Sequence, residues 1–142
     1  MRIIQRIHIE REVSDVFALI SDPSRYPDFF VGVTRWKPLS RARRKGARFR
    51  VLMAVGSIEA GGTVRVVEWN ANESIAWKSE TGIDQVGRWD LWPTDVGTEL
   101  QLAIQFELSG PASWLVERLA GRTVARNMWA TLLAARRLLE TE

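Results

Sequence analysis

Between Ala112 and about Glu140 the chain carries no proline and a single glycine, Gly121. A helix over this stretch would be a rod of roughly 29 residues and 43 Å. Trp114, Leu115, Leu119, Ala125, Met128, Trp129, Leu132, Leu133 and Leu139 share a wide face of it at 3.6-residue spacing. Directly upstream, Leu100, Leu102, Ile104, Phe106 and Leu108 alternate with Glu99, Gln101, Ala103, Gln105 and Glu107. That period of two predicts a strand with one wet face and one buried face. Ser109-Gly110-Pro111 separates the two patterns. The chain therefore ends in a one-sided sheet and a long helix with an apolar face to bury.

The rest of the order is consistent with that pairing. Arg2 to Glu10 alternates closely enough for a first strand. Val13, Val16, Phe17 and Ile20 fall at helical spacing, predicting a short helix from about Arg11 to Ser21, which Asp22-Pro23 stops. A second short helix or turn carries Tyr26, Phe29 and Phe30. Strands are expected over 33–39, around Phe49, Val51, Met53 and Val55, and over 63–69, 75–80 and 85–92. Turns are expected at the basic segment around Gly46, at Gly56-Ser57, at Gly61-Gly62, over 70–73 and over 93–97. Short turns between successive strands favour an antiparallel meander. No repeat, linker or second domain is visible, so 1–142 reads as one α+β domain.

Several functions are excluded by composition. Among 142 residues there is no cysteine and one histidine, which removes disulfides, thiol catalysis and most zinc or Ser–His chemistry. His8 lies on the first strand beside Arg2, Arg6 and Glu10, a face expected to be solvated. Hydrophobic residues make up 46% and charged residues 26%, ordinary for a folded domain. No apolar run reaches the roughly 18 residues of a membrane span. The opening residues have charges from the second position and do not read as a signal peptide, so a cytoplasmic location is expected. Net charge is +3, but 41–50 alone holds six basic residues and no acid, leaving −3 for the rest. Such a run is expected to be a solvated turn. No broad nucleic-acid face is visible.

Three strings carry a resemblance. The first is IEREVSDVFALISDPSRYPDFF, with Val16, Phe17, Asp22, Tyr26 and Pro27 in a helix-and-turn signature. The second is GTVRVVEWNANESIAW, ending in Trp77. The third is GRWDLWPTDVGTELQLAIQFEL, with Trp89, Gly97 and Thr98. In this order the chain resembles the START-like (SRPBCC, Bet v 1-like) superfamily of helix-grip proteins, and within it the bacterial polyketide cyclase/dehydrase-like branch. The resemblance spans the whole chain. It implies about seven antiparallel strands curved around the C-terminal helix, two short helices after the first strand, and a cavity between sheet and helix. It implies no catalytic set, because the fold hosts carriers and enzymes alike.

Alternation then marks the expected ligand-facing walls. These are Trp36, Phe49, Val51, Met53, Trp77, Trp89, Leu91, Leu102 and Ile104 on the sheet, opposed by Leu115, Leu119 and Trp129 on the helix. Seven tryptophans supply large apolar walls with one N–H each, or simply fill a core. On a helical projection Arg118 and Arg122 fall among Trp114, Leu115, Ala125 and Trp129. They would snorkel to the rim, pair with a carboxylate such as Glu68 or Asp90, or hold an anionic ligand. The expected function is binding of a small hydrophobic molecule, neutral or anionic, as a carrier or sensor. The alternatives are a polyketide cyclase or aromatase using the same cavity, and a partner-binding module acting through the basic turn. No metal, cofactor or nucleic acid is expected. Membrane contact, if any, would be peripheral, through Arg41, Arg43, Arg44 and Lys45, and the protein would be a monomer or homodimer.

Overall fold

The computed structural model describes residues 1–55 and 57–142; Gly56, expected in a turn, lies outside the described residues. The elements run β1 (Arg2–Ile9), α1 (Val13–Ile20), a 3₁₀ turn (Pro23–Arg25), α2 (Tyr26–Phe29) and β2 (Val33–Pro38). They continue β3 (Arg48–Val55), β4 (Ile58–Asn70), β5 (Ser74–Gly82), β6 (Asp84–Thr94), β7 (Gly97–Glu107) and α3 (Ser113–Thr141). All neighbouring strands are antiparallel, in the order β1-β7-β6-β5-β4-β3-β2. The sheet is a meander from β2 to β7, closed at one edge by the first strand. This is the helix-grip architecture, with α3 lying in the curve of the sheet.

Two local features produce the curve. The β4–β5 register shifts twice, leaving Glu80 as an extra residue in β5 and Val67 as an extra residue in β4, and a bulge bends and twists its strand. Gly61 and Gly62 do not end a strand, as their sequence had indicated, but sit inside a 13-residue one. A Cβ at Gly61 would run into the Val51 carbonyl across the ladder, so glycine permits the close approach that tightens the bend.

Burial follows the alternation along β7, where Leu100, Leu102, Ile104 and Phe106 are all buried. They meet α3 along Val124, Met128, Leu132, Ala135 and Leu139. Burying each large aliphatic side chain fully contributes about 1.5–3 kcal/mol relative to exposure. The C-terminal end of α3 is further tied by Arg11, which donates to the Leu139 carbonyl, where the helix dipole favours a cation. Glu10 N–H donates to Glu140 Oε2 at 2.9 Å, and Arg25 pairs with Glu142 at 2.8 Å. Thr131 Oγ1 accepts from Val31 N–H at 2.9 Å, fixing the chain after α2 to the same half of the helix.

Candidate ligand cavity

The interior between sheet and α3 is divided in two by α2. Its four residues place Tyr26 and Phe29 inward, with Phe30 following, and all three are buried. Tyr26 meets Trp36 edge-on at 4.9 Å between ring centroids, and Phe30 meets Trp89 at 5.6 Å. Trp36 in turn stands edge-on to Trp77 at 5.3 Å. Edge-to-face pairs at these distances match the attraction between ring faces and edges. Trp77 also lies over Gly87, where a Cβ would collide with the indole. This end of the grip is packed with aromatic rings. It leaves a hollow of about 20 Å³ among Tyr26, Trp36, Phe49 and Trp77, room for one water. Trp36 Nε1 is buried there with no hydrogen-bond partner among the described residues.

The other end stays open. Below the N-terminal half of α3 is a cavity of about 280 Å³. Met53, Ala60 and Gly61 form one wall and Ile83 and Gln85 another. The end of β7 adds Ile104, Phe106 and Leu108, and α3 closes it with Val116, Ala120 and Val124. The space exists because Ala60, Gly61 and Ala120 are small where the filled end carries aromatic rings. Gln85 is buried and points inward on β6. Its backbone N–H donates to Ser79 Oγ at 3.0 Å, and its side chain is the polar one in an otherwise apolar lining. Glu117 accepts a 2.7 Å hydrogen bond from Leu108 N–H, tying the start of α3 to the end of β7 beside the cavity.

The residues expected to face a ligand are thus dispersed. Met53 and Ile104 line the cavity. Trp36, Phe49 and Trp77 surround the small hollow instead. Val51, Trp89, Leu91 and Leu102 are buried in the packed core. Leu115, Arg118, Leu119, Arg122 and Trp129 are exposed on the outer side of α3. The helix is rotated from the expected face because β1 approaches it closely. Met1 packs against Gly121, and Gln5 Nε2 donates to the Ala125 carbonyl at 3.4 Å. The contact takes the small-residue side and turns the Trp–Leu–Arg side outward. The carboxylates offered as partners for those arginines are engaged elsewhere. Arg88 donates to Glu68 at 2.7 Å and to Asp90 at 2.7 Å. Ser74 and Arg88 together hold Glu68 below its usual carboxylate range. The hydrogen bonds to Asp90, and then the charges of Asp90 and Glu68, raise Arg88 above its ordinary value.

Sequence reasoning missed Gln85, Ala60 and Ala120. The available signal was an amide at an inward strand position and a run of small residues within a strand.

Comparison with curated proteins finds no match. Among solved structures, a Thermus thermophilus protein superposes with a TM-score of 0.86 at 17% identity, over 99% of this chain and 98% of its own. An aromatase/cyclase from a Streptomyces species gives 0.82 at 18%, over 99% and 93%. A START superfamily protein from Mycobacterium smegmatis gives 0.76 at 18%, over 99% and 97%. At these identities the likeness is one of fold. The sequence family described as polyketide cyclase / dehydrase and lipid transport matches residues 2–140, nearly the full length, and the chain belongs to it.

Proposed function

We propose that this protein binds a small, largely apolar molecule bearing one hydroxyl or carbonyl group, in the cavity between the sheet and the first half of α3. The observation that carries the reading is an apolar chamber of about 280 Å³ whose one polar lining side chain among the described residues is Gln85. That volume equals roughly nine waters at ~30 Å³ each, which suits a guest of one or two fused rings. The lining favours binding over cyclase chemistry. Its polar side chain among the described residues is an amide, which neither gives nor takes a proton near neutral pH. Carrier or sensor is the role that fits such a site.

Titration with naphthalene and 2-naphthol tests this. Both should bind saturably, and Ala120→Leu, which fills the chamber, should abolish binding of both. Gln85→Leu should weaken 2-naphthol by about two- to tenfold, the worth of one neutral hydrogen bond, and leave naphthalene unchanged. Binding that survives Ala120→Leu would put the guest elsewhere.

A further inference from the structure

The outer side of α3 is a second surface, which ligand binding does not use. Trp114 is 66% exposed and Leu119 is 60% exposed, with Leu115 and Trp129 also in solvent. Arg118, Arg122 and Arg126 are exposed between them. At 100° per residue, Leu115, Leu119, Trp129 and these three arginines fall within an arc of about 100°. From Trp114 to Trp129 the strip runs roughly 22 Å. Between Ser113 and Leu139 the helix carries five arginines and one acid, Glu117. That carboxylate is turned to the Leu108 N–H, so it does not neutralise the strip. Among the described residues Arg118, Arg122 and Arg126 have no ion-pair partner.

We propose that this face of α3 docks the protein on an anionic lipid bilayer, with the helix lying along the surface. Tryptophan and leucine side chains interleaved with arginine are what the headgroup boundary takes: rings and aliphatic chains enter the acyl edge while guanidiniums bind phosphates. No helix among the described residues is long and apolar enough to cross a membrane, so the contact is peripheral. Positive charge decides the occupant. A second copy of the chain meeting this face with its own would set arginines against arginines, which is costly, whereas an anionic surface complements them. Val116, half exposed, also lines the cavity, so docking would bring the cavity wall to the bilayer. The docking itself does not depend on the cavity being filled.

Co-sedimentation with vesicles of phosphatidylcholine, alone and mixed with phosphatidylserine, provides the test. The protein should partition onto the mixed vesicles and be released by added salt. Trp114→Ser with Leu119→Ser should weaken this at least about tenfold. Arg118→Gln with Arg122→Gln should weaken it about 25-fold, at about fivefold per arginine near a charged surface. All four side chains are exposed, so melting by circular dichroism and 2-naphthol binding should match the parent protein. Equal partition onto neutral and anionic vesicles, or no effect of either double variant, would overturn the proposal. So would a solution dimer that the same substitutions split, which would make the face an interface between copies. Loss of vesicle and 2-naphthol binding together would also overturn it, since the substitutions would then be acting through the fold.

Discussion

Tyr26 is the chain's single tyrosine, so its ionisation can be read without interference. Its hydroxyl donates to the Ile20 carbonyl at 2.6 Å and accepts from Trp89 Nε1 at 3.3 Å. Burial pushes its pKa well above the ordinary value of about 10, with the Trp89 hydrogen bond opposing and the charge of Asp22 adding to the rise. A raised acid favours the neutral form in the native state. The stability it contributes is therefore complete below the unfolded value and is lost as pH climbs beyond it. Native protein at about pH 10 to 11 should show no tyrosinate absorbance, which should appear only as the native signal disappears. Tyr26→Phe strands a carbonyl and an indole N–H in the core and should cost about 1–3 kcal/mol. In a chain of this size that lowers the melting temperature by roughly 2–4 °C per kcal/mol. Normal titration in the native protein would mean the hydroxyl is in water.

At the level of elements, the basic segment and α3 show what could be read in advance and what could not. The strands and the 29-residue helix were legible because their periods of 2 and 3.6 persist over many residues. The face of α3 was not, since Trp114, Leu115, Val116, Leu119 and Ala120 surround its first turns with apolar side chains. No period selects a side there; the approach of Met1 to Gly121 does. The same holds for the cavity, whose position depends on α2 filling one end of the grip, a tertiary event with no local signature. The basic segment is exposed at Arg41, Arg43, Arg44 and Lys45, as a run of like charges would be. One contact departs from that picture: Arg44 lies over the Trp69 ring, 4.8 Å from its centroid. Arg44→Ser should then cost about 0.5–1 kcal/mol by chemical denaturation. Arg41→Ser should stay within about 0.5 kcal/mol of the parent. Equal effects would remove the ring contact as a contribution to stability.

For the whole molecule, the meander from β2 to β7 is made of neighbours in sequence, but β1 is not part of that series. Its eight residues pair with β7, and the Met1 amino group donates to the Phe106 carbonyl 105 residues away. Loop closure over that distance is slow compared with hairpin formation. Pulse-labelled hydrogen exchange during refolding should protect the amides of β4 and β5 before those of β1, and simultaneous protection would contradict this order. On the ribosome the delay becomes longer. At roughly 5–20 residues per second, the isoleucine-rich first strand waits about 5–20 s for its partner to be synthesised. Throughout that interval Ile3, Ile4, Ile7 and Ile9 lie on a nascent chain with no strand beside them. The step that closes the sheet is thus also the one during which a slowed or stalled chain is most open to aggregation.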